Sequence, residues 1–275
     1  MRRGREIIGS AFLALFFLSL ASAAEKPPLA SWPFDPGKNP DRILGYHKYV
    51  PGIVGTGLRF DGQTTSVVRA AASAPRIGDA FTIEAWVAVQ TYPGTWCALV
   101  NQERDRKAGY FFGLDPEGRF GLQIAVDGRW REVRSESKLP LYAWNHLAAT
   151  FDAAAGVRLY LNGKPVGGAP LKGKPTYAPD ADLWIGRDQT ALGLSEEVKV
   201  VAPVAFSFDG ILDEVRIHGR VLGADEIRAI HRVVDGAPPR TRVRLHRLPA
   251  GRAHPAGRCW TRAATRAADP RRTSR

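Results

Sequence analysis

Apolar and polar residues alternate along most of the chain between Trp32 and Ile217. The clearest examples are Phe81-Thr82-Ile83-Glu84-Ala85-Trp86 and the stretch from Phe208 to Ile217. Successive side chains of a strand point to opposite faces, so a two-residue period predicts half-buried strands. Phe120, Leu122, Ile124 and Val126 share one face, and Val157, Leu159 and Leu161 share one in a later hairpin. Asp127-Gly128 and Asn162-Gly163 predict two-residue hairpin turns, whose central residues need positive φ. Asp115-Pro116-Glu117-Gly118 suits a four-residue turn, with Pro pre-set for the second position. Asp225 to Arg232, with Ile227 and Ile230 three apart, reads as a short helix. Short strands punctuated by Gly and Pro, closing on one short C-terminal helix, predict an all-β sandwich or barrel. No internal repeat stands out, and residues 31–235 form one predicted domain behind a linker at 24–30.

The two ends of the chain differ from this middle. Arg2, Arg3 and Arg5 precede an apolar run from Ile7 to Leu20 and the small residues Ala21, Ser22 and Ala23. Charged start, short apolar centre and small-residue end predict a signal peptide over residues 1–23 and an exported, periplasmic or extracellular protein. The apolar run falls short of the ~18–20 residues of a membrane-spanning helix, so no membrane association is expected after cleavage. Residues 236–275 hold 11 Arg, no Lys and one acid, Asp269, with no Ile, Phe or Tyr. Such a segment buries too little apolar surface to offset its ordering entropy and is expected to be disordered. Three readings of it stay open: a basic arm for anionic surfaces, a plain tail, or out-of-frame translation of GC-rich DNA.

Charge changes its meaning once mapped. The formal net charge is +12, but the termini carry all of it: residues 24–235 hold 25 basic and 25 acidic side chains. A neutral domain has no general attraction for polyanions, which excludes nucleic acid as its expected partner. Cys97 and Cys259 are too few and too far apart to predict a disulfide framework or a thiolate metal site. Cys97, in the apolar stretch Trp96 to Val100, reads as a small core residue.

Eight segments in order resemble one family. Trp32-Pro33-Phe34-Asp35 and Gly55-Thr56-Gly57-Leu58-Arg59-Phe60-Asp61-Gly62 come first, followed by Phe81 to Val87 and then Trp144 to Asp152. Val157 to Gly163, Leu183 to Gly186, Phe208 to Ile217 and the short helix Leu222 to Ile230 complete the pattern, with Gly223 where Ser is usual. Together they are similar to the laminin-G-like domains of the concanavalin A-like lectin/glucanase superfamily. The resemblance implies a two-sheet antiparallel jelly-roll sandwich. The superfamily holds both binding modules and enzymes.

Its glucanases place alternating carboxylates on one strand, since retaining hydrolysis needs two carboxyl groups about 5–5.5 Å apart. No such pattern is found here. Arg134 interrupts Glu132 and Glu136, Glu196-Glu197 are adjacent, and Asp213-Glu214 point to opposite faces. Asp209 and Asp213 share a face at spacing four, on the closing strand. The expectation is therefore a non-catalytic protein. The resemblance also implies one structural calcium, held by Asp213 with oxygens from Asp35, Asp61 and Gly62. The alternative is that Asp61 caps a turn while Asp213 accepts backbone N–H bonds. Glu84 and Arg216 lie on strands expected to be adjacent and either pair or reach solvent. His146 reads as a satisfied core histidine rather than a ligand.

Sugar recognition uses aromatic faces with a few planar polar groups. Tyr92, Trp96, Tyr110 and Trp130 are the candidates, Tyr92 and Trp96 foremost because T-Y-P-G-T-W reads as a loop. The resulting expectation is a carbohydrate-binding, lectin-like module for a glycan or glycosylated surface. Two alternatives remain: an accessory domain partnered with a catalytic or sensor domain, or a protein–protein interaction module.

Overall fold

The computed structural model describes residues 26–39, 41–188 and 208–235. The expected signal peptide, the Arg-rich tail and Glu196-Glu197 lie outside the described residues. Two antiparallel sheets face each other. In the eight-stranded sheet the order is β13 (Lys164–Ala169), β12 (Gly156–Leu161), β11 (Trp144–Asp152), β6 (Ala80–Val89), β15 (Asp209–His218), β4 (Thr56–Asp61) and β3 (Lys48–Pro51). Its eighth strand, β1 (Ala30–Trp32), also pairs with β15. The seven-stranded sheet runs β10 (Arg129–Lys138), β9 (Arg119–Val126), β8 (Ala108–Leu114), β7 (Cys97–Arg104), β14 (Leu183–Ile185), β5 (Ser66–Arg69) and β2 (Arg42–Leu44). This is the expected all-β jelly-roll sandwich.

The hairpins form where the local sequence demanded them. Asp127 and Gly128 have φ of 48° and 71°, and Asn162 and Gly163 have 50° and 75°, the paired left-handed geometry whose twist matches that of the flanking strands. Strand β15 is shared along one edge: β4 pairs with Asp209–Leu212 and β1 with Val215–Ile217. The change of partner occurs at a register shift between Asp213 and Arg216 against β6. Glu214, with φ of 49°, is the extra residue of this β-bulge.

The inward side chains fill the space between the sheets. Phe60 meets Phe34 and Phe208 edge-on at 6.4 and 6.0 Å, and Phe81 lies between Phe151 at 5.5 Å and Tyr110 at 5.8 Å. Offset and edge-on aromatic pairs of this kind add to the stability given by buried area. Cys97 is buried as expected, and burial pushes its thiol up, leaving it a small apolar filler. Helix α1 (Ala224–Asp235) lies on the outer face of the eight-stranded sheet, where Leu222 and Ile227 pack on Ala148 and Tyr160. Glu226 reaches back to accept the Gly223 N–H at 2.7 Å, half of a capping box whose other half needs a hydroxyl. Among the described residues no helix is long and apolar enough to cross a membrane.

Candidate functional site

The outer faces of the two sheets carry different chemistry. On the eight-stranded sheet, strand order β11-β6-β15 lines up His146, Trp86 and Asp213 in one row. In the row beside it, Ala148, Glu84 and Arg216 lie opposite one another. Glu84 is fully buried. Its carboxylate meets His146 Nε2 and His218 Nε2 at 3.1 Å each and accepts from Arg216 Nη1 at 3.3 Å. Burial opposes its charge, yet the two imidazole contacts and their charge hold the carboxyl well below its usual range. The expected Glu84–Arg216 pair therefore forms, inside a larger network. Arg216 also binds Glu214, Trp86 stacks on His231 at 5.5 Å, and His146 is buried within the network rather than set among metal ligands.

Beyond this network the four residues expected to hold calcium separate into two groups. Asp213 and Asp35 both serve the loop between β3 and β4. Asp213 Oδ2 accepts from the N–H groups of Ile53 and Val54 at 2.8 and 3.0 Å, and its Oδ1 accepts from Glu214 at 2.8 Å. Gly52 is required there because a Cβ would overlap Asp213 Oδ2. Asp35 accepts from the Thr56 N–H at 3.1 Å and binds Lys38 Nζ at 2.9 Å. Asp61 lies at the other end of β4, opposite Asp209, four residues of strand and therefore roughly 13 Å from Asp213. One Asp61 oxygen accepts from the N–H groups of Gln63, Thr64 and Thr65 and the other from the Thr64 hydroxyl. These bonds overcome burial and hold its carboxyl far below the usual range. Gly62 donates its N–H to Phe208 O at 3.1 Å.

Calcium needs about six to eight oxygens around one point. Here the carboxylates point at N–H donors, whose positive ends occupy the positions a cation would take. Among the described residues no three His, Cys, Asp or Glu side chains are placed to hold a metal. The residues as arranged do not fit the ion. They match the alternative instead, a turn cap at Asp61 and a backbone clamp at Asp213. Desolvation, with Glu214 alongside, outweighs that clamp and pushes the Asp213 carboxyl up to about 7.

The four aromatic candidates also divide. Tyr110 is a correction: it is fully buried between the sheets with Phe112 and Leu114, and burial pushes its phenol up. Alternation on β8 sets this, and a phenol is apolar enough over most of its area to follow its neighbours inward. Tyr92 donates to Leu139 O, has Lys138 Nζ 4.3 Å from its ring centre and rests on Gly118. Its ring is thus engaged within the protein.

Trp96 and Trp130 lie on one surface, the outer face of the seven-stranded sheet. Trp184, Asn101, Phe111, Gln123 and Glu132 form a row across β14, β7, β8, β9 and β10. Trp96 lies edge-on to Phe111 at 6.1 Å, in space left by Gly121, where a Cβ would come 3.1 Å from the indole. Arg106 folds back over the row, 4.6 Å from the centre of Phe111 and 5.5 Å from that of Trp130. Its guanidinium binds Gln123 Oε1 and, at 2.7 Å, Asp188. Gln123 Oε1 also accepts from Trp130 Nε1 at 3.0 Å, while Gln123 Nε2 donates to Glu132 at 3.1 Å. Arg134 Nε closes the chain on Glu132 at 2.6 Å. Asp105 and Arg106 have φ of 52° and 55°, a left-handed pair without glycine that costs backbone energy. The guanidinium's bonds to Gln123 and Asp188 hold Arg106 over the sheet in this geometry.

Sequence reasoning missed Arg106, Gln123, Glu132 and Arg134. Gln123 interrupting the apolar pattern of β9 was the available signal. The result is a partly exposed indole surface edged by planar polar groups already fixed in place, an arrangement that can stack on an apolar ligand face and bind its hydroxyls.

A family model of the concanavalin A-like lectin/glucanase superfamily, laminin-G type, matches residues 61–228. No curated protein matches the chain. Among solved structures, domain 4 of AbnA, an extracellular arabinanase of Geobacillus stearothermophilus in complex with arabinotriose, is similar at 19% identity, covering 74% of this chain and 98% of its own, with a TM-score of 0.57. The binding domain of Paraclostridial Mosquitocidal Protein 1 is similar at 15% identity over 70% of this chain and 47% of its own, with a TM-score of 0.55. The binding domain of botulinum neurotoxin serotype G follows at 12% identity over 75% and 51%, with a TM-score of 0.53. The chain spans about half the length of these two toxin domains. At such identities the likeness is one of fold.

Proposed function

Because the chain belongs to the concanavalin A-like lectin/glucanase superfamily, we propose that it is an exported, non-catalytic carbohydrate-binding module whose sugar surface is the Trp96–Trp130 face. The observation that carries this reading is the placement of two tryptophans on one outer face: Trp130, on strand β10, is tied to Arg106 and Gln123, and Trp96, from a loop, lies against Phe111 and Arg134, which bonds Glu132 in the same network. Similarity to a sugar-bound arabinanase domain supports the ligand class, and the character of residues 1–23 supports export.

Against catalysis stands the state of the carboxylates. Asp61 and Asp209 face each other across β4 and β15, but Asp61 is saturated by its turn and Asp209 is ion-paired with Arg59 at 3.1 Å. Glycoside hydrolysis needs one carboxyl kept protonated beside the scissile oxygen, and Asp213, the carboxyl pushed up to about 7, is fully buried. A second reading, an accessory domain of a larger glycan-acting enzyme, draws on the same arabinanase likeness and keeps the same sugar surface.

A glycan array probed with the chain, alongside Trp96→Ala and Trp130→Ala, tests the proposal. Each substitution should weaken retained glycans about tenfold, the size of a lost stacking contact of ~1.4 kcal/mol. Melting midpoints measured in parallel separate that loss from unfolding. An array without binding, or binding untouched by both substitutions, would reject the surface.

A further inference from the structure

At one end of the sandwich, bordering the loop that carries Trp96, lies a cavity of about 240 Å³. Three chain segments wall it: Asp61 to Gln63 after β4, Thr91 to Gly94 after β6, and Phe208-Asp209 entering β15, with Cys97 at the start of β7. We infer that this cavity is a second ligand site, for one uncharged sugar ring or a polyol of that size.

Size and rigidity point that way. The volume is below the ~300–1,000 Å³ of pockets for drug-sized ligands, which leaves room for a single ring. The walls are tied before any ligand arrives. Asp61 holds three N–H groups of its own turn. Gly62 N–H donates to Phe208 O at 3.1 Å and Gln90 N–H to Asp209 O at 2.9 Å. Asp209 is braced by Arg59. A site preformed in this way binds without the cost of ordering its loops.

The lining sets the ligand class. Pro93 gives the cavity an apolar edge, and the buried Phe208 and Cys97 close its floor. Asp209, Gln63 and Thr91 give acceptors and donors suited to hydroxyl groups. No Lys or Arg lines the cavity, so a carboxylated or sialylated sugar finds no cation there to offset its lost hydration. The charge of Asp209 is already answered by Arg59 and that of Asp61 by its turn, which removes the pull on an amine.

The experiment is calorimetric titration of the full chain with methyl glycosides of neutral pentoses and hexoses, methyl sialoside, glucuronate and an alkyl amine. Gly94→Phe is the blocking variant, because a Cβ at Gly94 would meet nothing within 4 Å and its backbone is not left-handed. Thr91→Tyr, at an exposed position of the same loop, replaces it if the melting midpoint falls. A neutral glycoside should bind the parent chain and Trp130→Ala within twofold of each other, and the blocking variant at least tenfold more weakly. Charged sugars and the amine should fail. Binding that survives the block, or a preference for a charged probe, would overturn the inference. Loss in Trp130→Ala alone would do so too while leaving the tryptophan face as the sugar surface, and absence of any monosaccharide binding would also overturn it.

Discussion

Asp213 should make the stability of this protein depend on pH in the direction opposite to ordinary acid denaturation. Its side chain is fully buried in the bulge of β15. Desolvation and the adjacent Glu214 raise its carboxyl from 3.8 to about 7, against the N–H groups of Ile53, Val54 and Glu214. A carboxyl raised by folding stabilises the native state fully below its unfolded value near 3.8, and that contribution is lost as pH rises through about 7. At ~1.36 kcal/mol per tenfold change in proton affinity the displacement amounts to about 4 kcal/mol, an upper figure because neighbouring charges relax. Asp213→Asn removes the titration and keeps the shape. Urea unfolding of both proteins from pH 4 to 8 is the assay, and the difference between them isolates this one group, since the other carboxylates largely cancel. The parent should lose a few kcal/mol relative to the variant over that range. A difference independent of pH, or one that grows in the parent's favour, would refute the reasoning.

Two further outcomes follow from the polar clusters. Glu84→Ala should cost about 3–5 kcal/mol in chemical denaturation, because it strands two buried imidazoles and a guanidinium, with Glu84→Gln costing less; loss below 1 kcal/mol for both would show that the network contributes little. A chelator should leave the melting midpoint unchanged, since the carboxylates expected to hold calcium are already occupied by N–H donors, whereas a fall of several degrees would reveal a metal bound to the native state.

What could be read from the sequence was what local chemistry decides. Asp127-Gly128 and Asn162-Gly163 announce their turns because few other residue pairs tolerate two left-handed positions. The register of β15 on β6 is harder, yet Glu84 and Arg216 were already candidates as partners because both interrupt apolar strands. Their convergence with His146 and His218 depends on the order β11-β6-β15, which is set by contacts far apart in the chain. The same distance effect divides the expected calcium set: Asp61 and Asp213 lie on neighbouring strands, but four residues of register separate them. Arg106 was invisible because its turn, Asp105-Arg106, reaches left-handed geometry without the glycine that would have flagged it.

The bulge in β15 and the helix on one outer face also favour the other face as the proposed sugar surface. Helix α1, the Glu84 network and the Asp213 clamp close the outer face of the eight-stranded sheet with buried, mutually satisfied groups, so a ligand there would have to break them. On the seven-stranded sheet the equivalent row ends in Glu132 and Arg134, both exposed, beside half-buried indoles at Trp96 and Trp130. Its hydrogen bonds fix the polar groups in place without covering those rings. A sandwich needs only its inward faces for stability. The left-handed turn at Arg106 and the space left at Gly121 are therefore not demanded by the core, and among the described residues their consequence is a face of half-buried indoles edged by hydrogen-bonded polar groups.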